Sequence, residues 1–544
     1  MNLNLNIRVQ KKHGIFYILT LWILSLLFVN ISGEFTLIDD WAYSKSVRDL
    51  SEFGILKIYD RIAITFVSNL LWGSLFTKVF GFSFFVLRLS TVIAGGVLIY
   101  TFYRWLGLLT ENRKLQLFCT LLLAFNPLFY VLSTTFMTDI FFLMNACISL
   151  YFFTSYMKYE RLKLLFWAFF FTIISVLSRQ VGIVIPLAFF LVSFGKNIPL
   201  KHRMYTYLGT LSAMCCLLFY YLLLHANNST PSHYTLHSNE LIHQLSGINK
   251  QIIFRWLFYF YTSVVSISVL LLPFGLYLLS QIKVHSKTII LMFLSFLLVI
   301  GLIGLLRDTT FPFNGQIINE YGIGGYFFHS PQSRVDQLSF EFPDWLNTLF
   351  ISLSVSVFSY LIFTQLHAAR DTFKNSRLIQ FLTMASILYY PCFGLVFVFD
   401  RYLLFHIIMI IPLLILIVNT SSVKVKKSFF GLGVLLIFSA LTVIGTRDYF
   451  EYNRIKTEAL NDLTLKQNIS PKYIDGGMEF NAWNSYKGDF FKSNVGKEWW
   501  CVYEDKYLIS IDKEVKGFTI YKEYPYSCWL GFKKRKLLVL EKNY

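Results

Sequence analysis

The sequence predicts an α-helical, polytopic membrane protein with a small α/β domain at its C-terminal end. Three observations predict it. The 544-residue chain is 55% hydrophobic, with a mean hydropathy of +0.55. Apolar runs of about twenty residues recur between short polar loops, long enough as helices to cross about 30 Å of hydrocarbon. From residue 447 onward charges become frequent and the apolar runs shorten. Inside lipid only a helix or a closed barrel satisfies every backbone group, and these runs are too long and continuous for barrel strands.

The spans fall at residues 14–31, 84–106, 115–133, 139–157, 163–178, 181–194, 205–224, 255–280, 288–306, 346–367, 378–399, 402–419 and 429–446, about thirteen transmembrane helices. Arg8, Lys11 and Lys12 precede the first run, and no small-residue cleavage site follows it. It therefore reads as a first transmembrane helix and not as a cleaved signal peptide. The runs at 163–178 and 181–194 are short and meet at the Arg179-Gln180 corner, as in a hairpin that does not fully cross. Residues 62–80 are also apolar, but only Gly81-Phe82-Ser83 would join them to the next helix. That stretch reads as an interfacial or re-entrant helix under the headgroups.

The formal charge of +18 would suggest nucleic acid for a soluble chain. Its location says otherwise. With the N-terminus inside, the cytoplasmic loops hold Arg113-Lys114, Lys158/Arg161/Lys163, Lys196/Lys201/Arg203, Lys283/Lys287, Arg370/Lys374/Arg377 and Lys424/Lys426/Lys427. This is the positive-inside bias of a cytoplasmic (inner) membrane protein, with the C-terminus outside. The long loops 32–83, 225–253 and 307–345 are then all extracytoplasmic, and so is the chemistry. Residues 1–446 form the membrane domain. Residues 447–544 form an extracytoplasmic domain in which WWCVYEDKYLISI, GFTIYKEYPYSCWL and KLLVLEK read as strands.

The ionisable groups on the outer side are few. Asp39 and Asp40 open an amphipathic helix on which Tyr43, Val47 and Leu50 share a face. Asp40 is placed to cap that helix. This leaves Asp39, and a carboxylate at a membrane boundary can take a proton from a hydroxyl nucleophile. Asp139 lies at the same membrane face, either as a helix cap or as a partner in the same site. Arg179-Gln180 and Asp400-Arg401-Tyr402 occupy short outer turns. An arginine there either grips a phosphate with its bidentate fork or snorkels to a headgroup. Arg88 and Arg334 are weaker candidates of the same kind. The sequence has no P-loop, no GxGxxG after a strand, no CxxC pair and no HExxH.

Taken in order, Asp39-Asp40-Trp41-Ala42-Tyr43, Phe136-Met-Thr-Asp139, Arg179-Gln180, Asp400-Arg401-Tyr402-Leu-Leu and the outer C-terminal domain resemble the glycosyltransferase-C superfamily. The resemblance is to its protein mannosyltransferase and aminoarabinose transferase branch. Pro471-Lys-Tyr-Ile-Asp-Gly-Gly-Met-Glu-Phe-Asn481-Ala-Trp483 also resembles the outer domain of bacterial members. The resemblance implies a polyprenyl-phosphate sugar donor, transfer at the outer face to a lipid, glycan or protein acceptor, and inversion at the anomeric carbon. It places the acidic pair on Asp39 and Asp40 with Asp39 the base, the second aspartate on Asp139, and the phosphate arginines on Arg179 and Arg401. Tyr43, Gln180 and Tyr402 would line the acceptor and sugar site. The family often has Asp-Glu where this chain has Asp-Asp, a departure that leaves the division of roles between the two acids open. Some members use a divalent metal, but the ligand set here names none.

The competing readings are a glycopolymer polymerase or ligase using a lipid diphosphate, a transporter, and a non-catalytic sensor. A transporter usually carries midplane charges and paired repeats, and neither is seen. Of seven cysteines, Cys119, Cys147, Cys215, Cys216 and Cys392 fall in spans as packing residues, while Cys501 and Cys528 of the outer domain are a candidate disulfide.

Overall fold

The computed structural model describes residues 13–194, 199–227, 229–280, 286–306, 315–319, 322–325, 344–391, 399–419, 429–486, 504–512, 514–530 and 532–543. Arg334, Cys392 and Cys501 lie outside them, and so does the candidate disulfide. Its described half, Cys528, is buried.

The chain is a multi-pass membrane protein built around one helical core. Seven described helices are long and apolar enough to cross a membrane, among them Phe84–Leu109, Thr138–Tyr159 and Leu200–Ala226. Shorter apolar helices, including Gly14–Val29, Leu162–Ser178 and Arg377–Tyr389, cover further predicted spans. Their lipid-facing sides stay apolar. In α1 (His13–Val29), for example, Leu24, Leu27 and Phe28 are exposed while Trp22, Leu26 and Val29 enter the core.

Several predicted spans are divided. Residues 115–133 form two helices, Arg113–Ala124 and Pro127–Leu132. The break is at Asn126-Pro127, where the Asn126 side chain caps the second helix and proline occupies its first turn. Residues 255–280 likewise divide into Lys250–Leu270 and Leu272–Leu279, with Pro273 in the first turn of the second.

After α1 comes α2 (Asp40–Phe53), closed by Gly54 in the left-handed region. The apolar stretch at 62–80 forms α3 (Val67–Phe80). Fourteen residues give roughly 21 Å of helix, too little to cross the hydrocarbon. Thr65 and Ser68 donate to the carbonyls of Val176 and Ile174, and Ser178 bonds Asn69, so this stretch packs on the end of the 162–178 helix.

Near the C-terminus, a 33-residue helix (Phe429–Asn461) runs straight through the compositional change at 447. The four-stranded sheet that follows has Ile474–Asp475 (β3), Tyr507–Ile511 (β4), Phe518–Cys528 (β5) and Lys533–Lys542 (β6) in the order β3-β4-β6-β5. β1 (Ile318–Asn319) and β2 (Gly322–Ile323) form a separate small hairpin. Strand alternation sorts the sheet faces. Leu537 and Val539 join the main core, whereas Leu508, Leu538 and Leu540 pack with Val515 and Phe518 on the other side.

Carboxylates of the long helix and of the turn Asp462–Lys466 that continues it hold the sheet. Asp448 accepts from the Trp529 and Leu530 amides at 3.0 and 2.7 Å. Asp462 accepts from Lys522 and the Tyr524 hydroxyl, both at 2.6 Å. On the same side Arg454 donates to the Asn30 carbonyl at 2.6 Å, tying the helix to the end of α1.

Asp448→Ala therefore leaves two amides unmatched, at about 1–3 kcal/mol for such groups. We expect a lower melting temperature and faster hydrogen exchange at Trp529 and Leu530. Unchanged exchange at both amides would show that Asp448 is not the latch.

Candidate functional site

Four segments meet at the end of the bundle that carries the C-terminal domain: the start of α2, the 133–139 turn, the Arg179 corner and the Asp400–Tyr402 turn. The last two are held by one-turn 3-10 helices, Gln180–Ile183 and Asp400–Tyr402.

Asp139 sits in the first turn of the helix Thr138–Tyr159, whose cap position is Met137. The expected capping role is thus not what its side chain does. It ion-pairs with Arg179, both side chains being largely buried. The positive end of the helix dipole adds to the stabilisation of its charge. The Arg179 guanidinium also lies 4.9 Å from the centroid of the Tyr402 ring.

Arg401 sits beside the same ring at 5.3 Å, so Tyr402 carries both guanidiniums. Its Nη2 is 3.5 Å from Asp39 Oδ2, a loose ion pair, and its Nη1 is 3.8 Å from the Met137 sulfur. Asp39 is the exposed member, its side chain 30% accessible against 6% for Arg401. The Asp39 carboxylate also accepts from Gln316 Nε2 at 3.2 Å.

Gln316 is placed by Asp400. The buried Asp400 carboxylate accepts from three successive amides, Gln316 at 3.1 Å, Ile317 at 3.0 Å and Ile318 at 2.8 Å, and from the Arg401 amide at 2.8 Å. The third long loop is thereby pinned to the turn that bears Arg401. Sequence reasoning named Asp400 only as the residue before Arg401 and missed Gln316, because a polar side chain in a long loop carries no periodic signal.

The two adjacent acids separate sharply. Asp40 does not cap α2: it is the first helical residue, and the cap position falls on Asp39, which makes no side-chain capping bond. Asp40 Oδ1 instead accepts from the Leu37 amide at 2.7 Å, and Oδ2 from the Phe136 amide at 3.3 Å. Asp40 thus stitches the 31–37 segment to the 133–137 turn. Burial pushes its carboxyl up from 3.8 to about 7, against the opposing pull of Arg88 and the two amides.

Tyr43 is buried one turn along α2, its ring 5.0 Å from that of Phe66. Burial holds its phenol protonated, well above the ordinary range, while Arg401 pulls the other way. Gln180 donates to the Ala63 carbonyl at 3.1 Å and so fastens the segment before α3.

Arg88 departs from expectation. It is fully buried and donates to the carbonyls of Ile31, Gly33 and Phe35, with its guanidinium 4.4 Å from the Phe35 ring centroid. It clips the turn after α1 and is not presented to a phosphate. A lone arginine near a helix end reads the same in sequence whether it meets lipid or carbonyls.

Asp139 Oδ2, Gln180 Oε1, Arg401 Nε and Gln316 Oε1 at this site are buried with no hydrogen-bond partner among the described residues. Among those residues, too, no cluster of three or more His, Cys, Asp or Glu side chains is placed to hold a metal ion.

Residues 70–221 match the family model described as dolichyl-phosphate-mannose-protein mannosyltransferase, a segment that includes Asp139 and Arg179. That segment is 152 of the 544 residues. Two solved structures are similar to the chain. One is ArnT from Cupriavidus metallidurans bound to undecaprenyl phosphate, at 13% identity and a TM-score of 0.42, over 97% of each chain. The other is the archaeal oligosaccharyltransferase AglB from Archaeoglobus fulgidus, in complex with an inhibitory peptide and a dolichol-phosphate. It is 13% identical with a TM-score of 0.40, over 84% of this chain and 58% of that one. No curated protein sequence matches the chain. Asp39, Gln316 and Arg401 all lie outside the matched segment, and the fold brings them to it.

The raised pKa of Asp40 sets a pH dependence. The folded state holds this proton more tightly than the unfolded chain. The resulting stability is full below the ordinary 3.8 and is lost as pH rises through about 7. The ceiling is on the order of 3–4 kcal/mol. Asp40→Asn removes this component. The melting temperature of the variant relative to wild type should therefore rise between pH 4 and pH 7.5, and a constant difference across that window would contradict the assignment.

Proposed function

We propose that this membrane protein is an inverting glycosyltransferase that moves a sugar from a polyprenyl-phosphate donor to a hydroxyl or amine acceptor. The reaction takes place on the extracytoplasmic side of the cytoplasmic membrane, with the N-terminus inside and the C-terminal domain outside. The observation that carries this reading is the setting of Asp39. It is the accessible carboxylate of the site, beside Arg401 and oriented by Gln316. The description of the matched family supports a lipid-monophosphate donor.

The geometry divides the labour. Arg179 is committed to Asp139. Arg401 has only a loose ion pair and a sulfur contact, with a buried Nε left over. Arg401 is therefore the guanidinium that an incoming phosphate can recruit with its bidentate fork. In one in-line displacement the acceptor oxygen or nitrogen bonds to the anomeric carbon while the bond to the phosphate oxygen breaks. Asp39 takes the acceptor proton, and Arg401 stabilises the charge developing on the departing polyprenyl monophosphate. Asp139, through Arg179, keeps the second positive charge in place. Tyr402 lies beside both guanidiniums.

The test is Asp39→Asn in purified protein. Loss of a general base costs about 10²–10⁴ in rate. The variant should fold, bind donor and transfer almost no sugar, whereas Arg401→Ala should weaken donor binding and Arg401→Lys restore it only in part. Wild-type turnover by the Asp39→Asn protein would overturn the assignment.

A further inference from the structure

We propose that Trp529 and Phe532, which flank the tip of the β5–β6 hairpin, are a lipid anchor that seats the C-terminal domain on an anionic phospholipid surface. Three independent marks place the tip at membrane level. The Trp529 ring meets Phe28 edge to face at 5.5 Å, and Phe28 lies in the last turn of α1 on its exposed, apolar side. Arg447 is the first charged residue of the long helix that begins at Phe429, after an unbroken apolar stretch, so it marks where that helix leaves the hydrocarbon. Its guanidinium lies 4.5 Å from the Trp529 ring centroid, and it donates to the Ser527 carbonyl at 3.1 Å. The amides of Trp529 and Leu530 are fixed to Asp448, the next residue of the same helix. The height of the tip is thus set by a membrane helix and not by a flexible linker.

The side chains at the tip have the chemistry of an interface. Phe532 is 96% exposed and takes a φ of 52°, which is uncommon for a bulky residue. The Phe532 amide donates to the Trp529 carbonyl at 3.2 Å, so this conformation closes the hairpin turn and leaves the ring facing outward. Trp529 is 45% exposed, with an indole that suits the headgroup boundary. Lys534 is exposed two residues beyond Phe532 and puts positive charge at the depth where phosphates lie, while Arg447 is paired with Asp448 at 2.9 Å. Aromatic rings with adjoining cations are what binds a segment to an anionic leaflet. A protein partner at this height would have to sit in the headgroup layer itself.

The test uses the full chain in nanodiscs of palmitoyloleoyl phosphatidylethanolamine and phosphatidylglycerol. The photocrosslinker p-benzoylphenylalanine replaces Phe532, Phe28 or Tyr521 in turn, and adducts are read by mass spectrometry. Tyr521, exposed near the other end of β5, is the control remote from the tip. We expect phospholipid adducts at 532 and 28, several-fold above position 521. Adducts at 28 with none at 532, or an adduct at 532 to a second protein chain, would overturn the proposal. Lys534→Glu should reduce the phosphatidylglycerol share of the adducts at 532 several-fold, and an unchanged share would overturn the anionic preference.

Discussion

Two arginines lie buried at one end of a membrane bundle, and the rest of the site is organised around that fact. Arginine does not lose its proton at any accessible pH, so its charge must be met inside the protein. Asp139 meets Arg179 directly. Arg401 is met only loosely, by Asp39. The Tyr402 ring between the two guanidiniums offers a π face to both. One pair is tight and the other loose, and this asymmetry puts a loosely held cation beside a loosely held carboxylate.

The surrounding carboxylates and Arg88 act on the backbone. Asp400 gathers three loop amides, Asp40 joins two turns, Asp448 holds the hairpin tip, and Arg88 collects three carbonyls. Each satisfies backbone groups that loops would otherwise leave buried and unpaired. This sorts the charged residues by use. Those committed to backbone define where segments sit. Asp39 and Arg401, paired only loosely with each other, are the ones the proposed reaction uses.

Much of this was legible in the sequence, because lipid imposes simple rules. Apolar length marks the helices, and the order of Asp39, Asp139, Arg179 and Arg401 along the chain, all on one predicted face, anticipates their convergence. What sequence did not show has physical reasons. The break at Asn126-Pro127 lies inside an apolar run, so hydropathy passes over a cap and a proline that end one helix and start another. The change at 447 reports where the environment turns aqueous, yet the helix continues to Asn461, since water and lipid both accept a helix. Asp40 looked like a cap because position alone suggests one, whereas its bonds run backward to Leu37 and across to Phe136. Gln316 could be found only once Asp400 was seen to fix its backbone.

The account stands on a single leaving group. A site with one loosely paired arginine suits a monophosphate carrier, and the most direct measurement is the identity of the lipid product. Purified protein in polyprenyl-phosphate membranes, supplied with a sugar-loaded donor and an acceptor extract, should release polyprenyl monophosphate in step with glycosylated acceptor. Release of polyprenyl diphosphate instead would contradict it.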